Sequence, residues 1–118
     1  MQATIHGETE GRGYGLNRAR DVDSSELLTA LGDDTCRAVL EATDGAALTA
    51  NEIADACDLS LSTTYRKLQT LTDLYLLEEQ TRLRGNGRHV SEFVCRVESV
   101  DVGLTNGFEV DMTVAAAD

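Results

Sequence analysis

The chain has 118 residues, 42 % of them hydrophobic and 26 % charged, with a formal charge of −11 at pH 7. That length supports one domain with a modest core, and no apolar run approaches the roughly 20 residues needed to cross a bilayer, so a soluble protein without a membrane partner is expected. Three cysteines, Cys36, Cys57 and Cys95, are odd in number and widely spaced, which does not describe a disulfide framework, and they read as small buried hydrophobes.

Residues 1–22 are polar and rich in glycine (Gly7, Gly11, Gly13, Gly15), without an apolar period, and predict a mobile arm. The opening M-Q-A-T-I-H-G-E-T-E-G has no basic run leading into an apolar stretch, so a cytoplasmic location is expected. Order is predicted from Asp23-Ser24-Ser25-Glu26, a polar cap followed by Leu27, Leu28 and Leu31 on one helical face that ends at Gly32. Asp33-Asp34 restarts a helix in which Cys36, Val39 and Leu40 share a face, and Asp44-Gly45 stops it. A third helix opens with a capping box, Thr49-x-x-Glu52, in which each side chain satisfies the other's free backbone amide. Its inner face is Ile53, Ala54 and Cys57, and the small residues Ala50, Ala54 and Ala56 let a neighbouring helix approach closely. Asp58-Leu59 makes a short turn, and Ser60 caps a fourth helix.

The fourth helix carries the most information. At about 100° per residue, Leu61, Thr64, Tyr65, Leu68, Leu71 and Thr72 fall on one side; Ser62, Thr63, Arg66, Lys67, Gln69, Thr70 and Asp73 fall on the other. A solvated helix in so acidic a chain is expected to turn carboxylates outward, as Glu41 and Asp55 do, yet this outer face is short, hydroxyl-rich and basic. After Leu74-Tyr75-Leu76-Leu77 the period changes to two: Leu77, Glu79, Thr81 and Leu83 alternate, Gly85-Asn86-Gly87 supplies a tight turn, and residues 90–97 return as a strand. Arg82, Arg84, Arg88 and His89 gather around that turn. A last hairpin is predicted, with Val100, Val102 and Leu104 matching Phe108, Val110, Met112 and Val114 across Thr105-Asn106-Gly107. It contains no basic residue, and its apolar face needs cover from the core or from a second subunit, because an isolated two-stranded hairpin is barely stable in water. Residues 115–118 are expected to fray.

Charge separates these regions. Residues 60–97 hold six basic residues against four acidic ones, a charge of +2, while the remainder of the chain stands at −13. Positive charge placed where a helix-turn-helix and a wing would meet phosphates points to double-stranded DNA as the partner. The candidate contacts on the fourth helix are Ser60, Ser62, Thr63, Thr64, Arg66, Lys67, Gln69 and Thr70, with Arg66 suited to pair its planar fork with a guanine. Those on the wing are Arg82, Arg84, Asn86, Arg88 and His89, which would grip phosphates or enter the minor groove. Arg12, Arg18 and Arg20 fit ordinary residues of a loose terminus better than a groove-reading arm.

The run L-G-D-D-T-C-R-A-V-L-E-A-T-D-G, then L-T-A-N-E-I-A-D-A-C-D-L-S-L-S-T-T-Y-R-K-L-Q-T-L, and the wing T-R-L-R-G-N-G-R-H resemble the ArsR-like winged helix-turn-helix regulators, in particular the small ones of halophilic archaea. The similarity runs over residues 27–97. It implies an α+β winged helix of about four helices and a hairpin wing over residues 23–97; the extra C-terminal β-hairpin over residues 98–118, read from the residues themselves, lies outside the family's general pattern. The resemblance also implies a DNA-binding transcription regulator, usually a homodimer, that blocks or helps the basal transcription machinery. Composition agrees with the halophilic type: nine Arg, one Lys, twenty-one Asp plus Glu and only five aromatics. The metal-sensing members carry a Cys-x-Cys pair in the helix before recognition; here Cys57 stands with Asp55 at the partner position, so no metal and no cofactor is expected.

Two other readings compete. A winged helix can serve as a protein-interaction module, which would suit the acidic flanks. A thiol or metal sensor could use Cys36, Cys57, Cys95, His6 and His89, but no two of these have ligand spacing. An enzyme is not expected, since no nucleophile and base stand at recognisable spacing and no phosphate-cradling G-x-x-x-x-G-K-[ST] occurs.

Overall fold

The structure, a computed structural model, describes residues 3–5, 22–104, 107 and 109–114. In chain order it contains β1 (Ala3–Ile5), α1 (Ser24–Leu31), α2 (Asp34–Ala42), β2 (Leu48–Thr49), α3 (Ala50–Cys57), α4 (Leu61–Asp73), β3 (Glu78–Leu83), β4 (His89–Val94), β5 (Val97–Gly103) and β6 (Glu109–Val114). The strands form two antiparallel sheets of three, ordered β2-β4-β3 and β1-β6-β5. The mixed α+β architecture with a hairpin wing and a C-terminal hairpin is the one expected.

Each helix begins where a short polar side chain can satisfy a free amide. Asp23 accepts from the Glu26 amide at 3.1 Å and Asp33 from the Cys36 amide at 2.9 Å. The capping box is complete: the Glu52 amide donates to Thr49 Oγ1 at 3.1 Å and the Thr49 amide donates to Glu52 Oε1 at 2.8 Å. Ser60 accepts from the Thr63 amide at 3.1 Å. The helix ends are less usual. Asp58 (φ 56°) and Tyr75 (φ 62°) both adopt the left-handed conformation that closes α3 and α4. After α4 the Leu76 amide reaches back to the Leu71 carbonyl at 2.9 Å and the Tyr75 amide to Thr72 at 3.0 Å, a Schellman closure with Tyr where Gly is commonest. Leu71 and Leu76, both fully buried, supply its apolar contact.

One core holds the two sheets and four helices together. Leu27 of α1, Val39 of α2, Ile53 of α3 and Leu71 of α4 meet Leu76, Phe93 and Met112 there. Leu28, expected inward, is partly exposed, because α1 turns Leu27 and Ala30 into the core instead. Strand β4 is the middle of the wing sheet, with Leu48 and Thr49 of β2 opposite Phe93 and Glu92. Backbone bonds tie its end to α2: the Cys95 amide donates to Thr43 O at 2.9 Å and the Gly45 amide to Cys95 O at 3.2 Å. The Thr43 side chain, itself buried, donates to Val39 O at 2.8 Å.

The C-terminal hairpin has the expected partners, Val100 opposite Met112 and Val102 opposite Val110. Val110 and Met112 enter the common core with Val97 and Val100 packed beside them, so the cover for this ribbon comes from the winged helix itself. Gly107 takes φ 102° in the turn, while Thr105, Asn106 and Phe108 lie outside the described residues, as do residues 115–118. The expected mobile arm over residues 1–22 contains one ordered piece: β1 pairs with β6, Thr4 opposite Thr113. Composition concealed it because its stabilising partner lies about a hundred residues away in sequence. His6, Arg12, Arg18 and Arg20 lie outside the described residues. No helix among the described residues is long and apolar enough to cross a membrane.

The caps generate a testable stability profile. Accepting the Thr49 amide holds the Glu52 carboxyl below its ordinary value of 4.5, and accepting the Cys36 amide does the same for Asp33 below 3.8. A carboxylate with a depressed folded pKa stabilises the fold above its unfolded value and loses that contribution as the pH falls through the folded one. The urea midpoint should therefore hold above about pH 5 and fall below about pH 4. Thr49→Ala should reduce stability at neutral pH by about 1 kcal/mol with an unchanged m-value, while Glu52→Gln, which removes the titrating group, should show a smaller acid loss than the parent chain.

Candidate nucleic-acid interface

Helix α4 is fixed in rotation by a narrow inner row. Thr64, Leu68 and Leu71, followed by Leu74, are buried, at spacings of four, three and three. This row points Ser62, Arg66, Gln69, Thr70 and Asp73 to solvent, as the sequence predicts. It also corrects four assignments. Thr64, counted both inward and among the DNA contacts, is 0 % exposed, and its hydroxyl donates to the Ser60 carbonyl at 2.9 Å, which places it with the inner row. Lys67 lies at the flank of the helix, where its ammonium reaches Asp33 Oδ2 at 3.2 Å across the α2 N-terminus. Tyr65 and Leu61, expected inward, are 55 % and 42 % exposed.

The outer face is internally organised. Arg66 donates to Thr63 Oγ1 at 3.3 Å, Gln69 to Asp73 Oδ1 at 2.9 Å, and the Thr70 hydroxyl to the Arg66 carbonyl at 3.1 Å. Ser60 and Ser62 hydroxyls stand 3.4 Å apart at its start. An open groove of about 490 Å³ runs between this helix and the wing, bordered by Tyr65 and Gln69 on one side, Asn51 at the start of α3, and His89 and Ser91 on the other.

The wing turn is closed by the Arg84 amide donating to Arg88 O at 2.7 Å and the Gly87 amide to Arg84 O at 2.9 Å, with Gly87 at φ 85°. Asn86, a candidate contact, accepts from the Arg88 amide at 3.0 Å and so shapes the turn. Arg84, Asn86, Arg88 and His89 are all exposed. Arg82 is different. Its guanidinium binds Glu92, which is 1 % exposed, with Gln80 Nε2 3.5 Å from the other carboxylate oxygen. A buried carboxylate keeps its charge only with a partner, so Arg82 belongs first to the wing's own stability. The sequence carried a signal for Glu92: a period-two row of Val90, Glu92 and Val94 puts one carboxylate among inward residues, directly opposite Gln80 and two residues short of Arg82's partner Val90.

Ion pairing sorts the cations. Arg37 pairs with Asp34, Lys67 with Asp33, Arg82 with Glu92 and Arg96 with Glu78. Among the described residues, Arg66 on α4 and Arg84 and Arg88 on the wing form no ion pair, although Arg84 stands near enough to Glu52 to help hold its carboxyl below the ordinary value. The thiols are poorly suited to ligation or redox chemistry, which need the thiolate. Burial, reinforced by the Asp33 carboxylate, pushes Cys36 up to about 11, and burial raises Cys57 and Cys95 as well. Among the described residues no three His, Cys, Asp or Glu side chains are grouped as metal ligands.

This geometry is that of a helix-turn-helix, with α3 and α4 joined by the turn at Asp58 and a wing following. Comparison by sequence agrees: residues 31–80 match the family model of a helix-turn-helix domain, from the end of α1 into β3. No curated protein and no solved structure matches the chain.

The Arg82–Glu92 pair separates stability from contact. Arg82→Ala strands a buried carboxylate and should cost about 2 kcal/mol, less than a fully buried pair would because the guanidinium is half exposed. Arg84→Ala should stay within about 0.5 kcal/mol. Adding Glu92→Gln to Arg82→Ala should recover part of the loss. Equal urea midpoints for the two arginine variants would show that Glu92 does not depend on Arg82.

Proposed function

We propose that the protein is a sequence-specific DNA-binding regulator of transcription, acting at promoters as a homodimer in a cytoplasm of high salt. The observation that carries the reading is the sorting of cations: in a chain of charge −11, the arginines among the described residues that form no ion pair are Arg66 on α4 and Arg84 and Arg88 on the wing. Beside Arg66 on α4 stand the exposed Ser62, Tyr65, Gln69 and Thr70, polar groups of the kind that meet base edges and backbone. The helix-turn-helix match over residues 31–80 supports the same reading. In it, α4 enters the major groove with Arg66 on a guanine, Arg84 and Arg88 hold phosphates, and His89 and the Asn86-shaped turn follow the backbone. The bound dimer then obstructs or recruits the basal transcription machinery.

Anisotropy with labelled duplexes, selected first from random sequence at high salt, tests the division of roles. Arg66→Ala should reduce preference for the selected site by roughly 5- to 100-fold while leaving random duplex little changed. Arg84→Ala should weaken both duplexes alike. Equal losses on both duplexes for both variants would remove sequence reading from α4. If neither duplex is bound by the parent chain, the fold serves a protein partner instead.

Salt dependence gives a second check. Among the described residues three cations are unpaired, so in this reading few counterions are released, and carboxylates such as Asp73 and Glu79 beside the groove must take cations up as phosphates approach. The slope of log K against log salt should be shallow or reversed; a slope near −0.9 for each of several phosphates would contradict this.

A further inference from the structure

The C-terminal sheet ends in an unguarded edge. In the order β1-β6-β5, strand β5 pairs on one side only, and no strand covers its other side among the described residues. Proteins usually blunt such an edge with proline, lysine, a bulge or a covering helix. This chain has no proline, and residues 97–103 hold no basic residue. The one irregularity lies between Val97 and Ser99; from there residues 99–103 pair one-to-one with β6, a regular strand with its outer amides and carbonyls aligned. Of the other edge strands among the described residues, β1 and β2 are only three and two residues long and β3 carries the Arg82–Glu92 ion pair, whereas the charged residues of β5 are Glu98 and Asp101 alone. The apolar row of β5 also outruns the core: Val100 packs against it, but Val102 is 43 % and Leu104 75 % exposed.

We propose that β5 is the dimerisation edge, pairing antiparallel with β5 of a second copy to make a continuous six-stranded sheet. The registers open to a twofold self-pairing differ sharply in charge. Centring on Asp101 sets two carboxylates directly opposite, which is unfavourable. Centring on Val100 engages the irregular Val97–Ser99 stretch and leaves Leu104 uncovered. Centring on Val102 places Val102 against itself, Val100 against Leu104 of the copy and Asp101 against Gly103 of the copy. It covers both exposed apolar residues and keeps the carboxylates apart, so this register is the one assigned. A twofold interface requires such a self-complementary patch. Glu98 and Asp101 of both copies still lie within the range of Coulomb repulsion at low salt, where the Debye length is about 30 Å at 0.01 M and about 3 Å at 1 M. The dimer therefore tightens as salt rises.

The inference rests on the homodimeric part of the proposed function and not on DNA binding. Sedimentation velocity of the whole chain at 0.1 M and 2 M KCl should show dimer gaining at least tenfold in association constant at the higher salt. Val102→Glu and Leu104→Glu should sediment as monomers at 2 M with unchanged far-ultraviolet dichroism and melting cooperativity, since both positions are already exposed. Val102→Cys in a Cys57→Ser background should cross-link to itself on mild oxidation, while Leu28→Cys on α1 in that background should not. A chain monomeric at both salts, a dimer that persists in both glutamate variants, or cross-linking through Leu28→Cys instead of Val102→Cys would each overturn the proposal. Duplex anisotropy on the same samples keeps the readings apart. A salt-tightened dimer that binds no duplex removes only the regulator, and a duplex-binding chain that never dimerises removes only this edge.

Discussion

The burial of Thr64, Leu68, Leu71 and Leu74 in a single narrow row is the constraint on which the presentation of the whole outer surface depends. A row at spacings of four, three and three leaves a helix little rotational freedom, because turning it by one residue would bring Tyr65 and Gln69, or Thr63 and Lys67, toward the core of Leu27, Val39 and Ile53. Thr64 pins the row at its start. Its hydroxyl bonds the Ser60 carbonyl, so a polar side chain sits fully buried without an unmet donor, and the same Ser60 caps the helix through the Thr63 amide. At the other end the Schellman closure at Tyr75 directs Leu76 and Leu77 back into the core, and β3 starts from there. The direction of Arg66 is thus set by four side chains that never reach the surface.

Strand β4 carries the second fixed relation. It pairs with β2 on one side and β3 on the other, and the residue that follows it, Cys95, is tied to the end of α2. The wing is therefore a rigid extension of the helical body, and the Arg82–Glu92 pair stiffens it further. Replacing such a pair with apolar residues is often neutral for stability, whereas breaking it is costly. Its consequence for shape is that Arg82 is withdrawn from the surface patch, which leaves Arg84 and Arg88 at the tip to define where the wing is positive.

Local signals were readable in the residues; packing signals were not. All four caps, at Asp23, Asp33, Thr49 and Ser60, were legible because each is a contact between a side chain and an amide three residues on. The wing turn and the Val100–Met112 register were legible because period two and Gly positions act over a few residues. Lys67 and Tyr65 exchanged faces relative to expectation because a helical wheel gives positions around an axis and not the direction from which the core approaches. Lys67 was turned aside by Asp33, the cap of another helix, and Leu61 and Tyr65 flank the buried Thr64 row and remain exposed. The strands β1 and β2, of three and two residues, gain their stability from partners at Thr113 and Phe93, and nothing within so short a run announces that. The candidate site was accordingly legible in outline, with Arg66, Arg84 and Arg88 in place, while Thr64, Lys67 and Arg82 have duties elsewhere.

Those duties follow from the chain's own charge. With twenty-one carboxylates to ten Lys and Arg, a cation at a random surface position will usually find an acidic neighbour, and Arg37, Lys67, Arg82 and Arg96 did. Exposed pairs of this kind contribute little even in dilute buffer and less in concentrated salt. Arg37–Asp34 is such a pair, so it adds little to the fold. Keeping a cation unpaired in this environment requires instead that its surroundings be cleared of carboxylates, which is a property of several positions at once. Ser62, Tyr65, Gln69 and Thr70 clear them around Arg66; Gly85, Asn86 and Gly87 clear them between Arg84 and Arg88. Two separate elements, a helix face that keeps one carboxylate, Asp73, and a wing whose turn has none, border the same open groove between α4 and the wing. Folding alone gives no reason for that coincidence, because neither set of residues contributes to the core; a polyanion bound across both elements gives one.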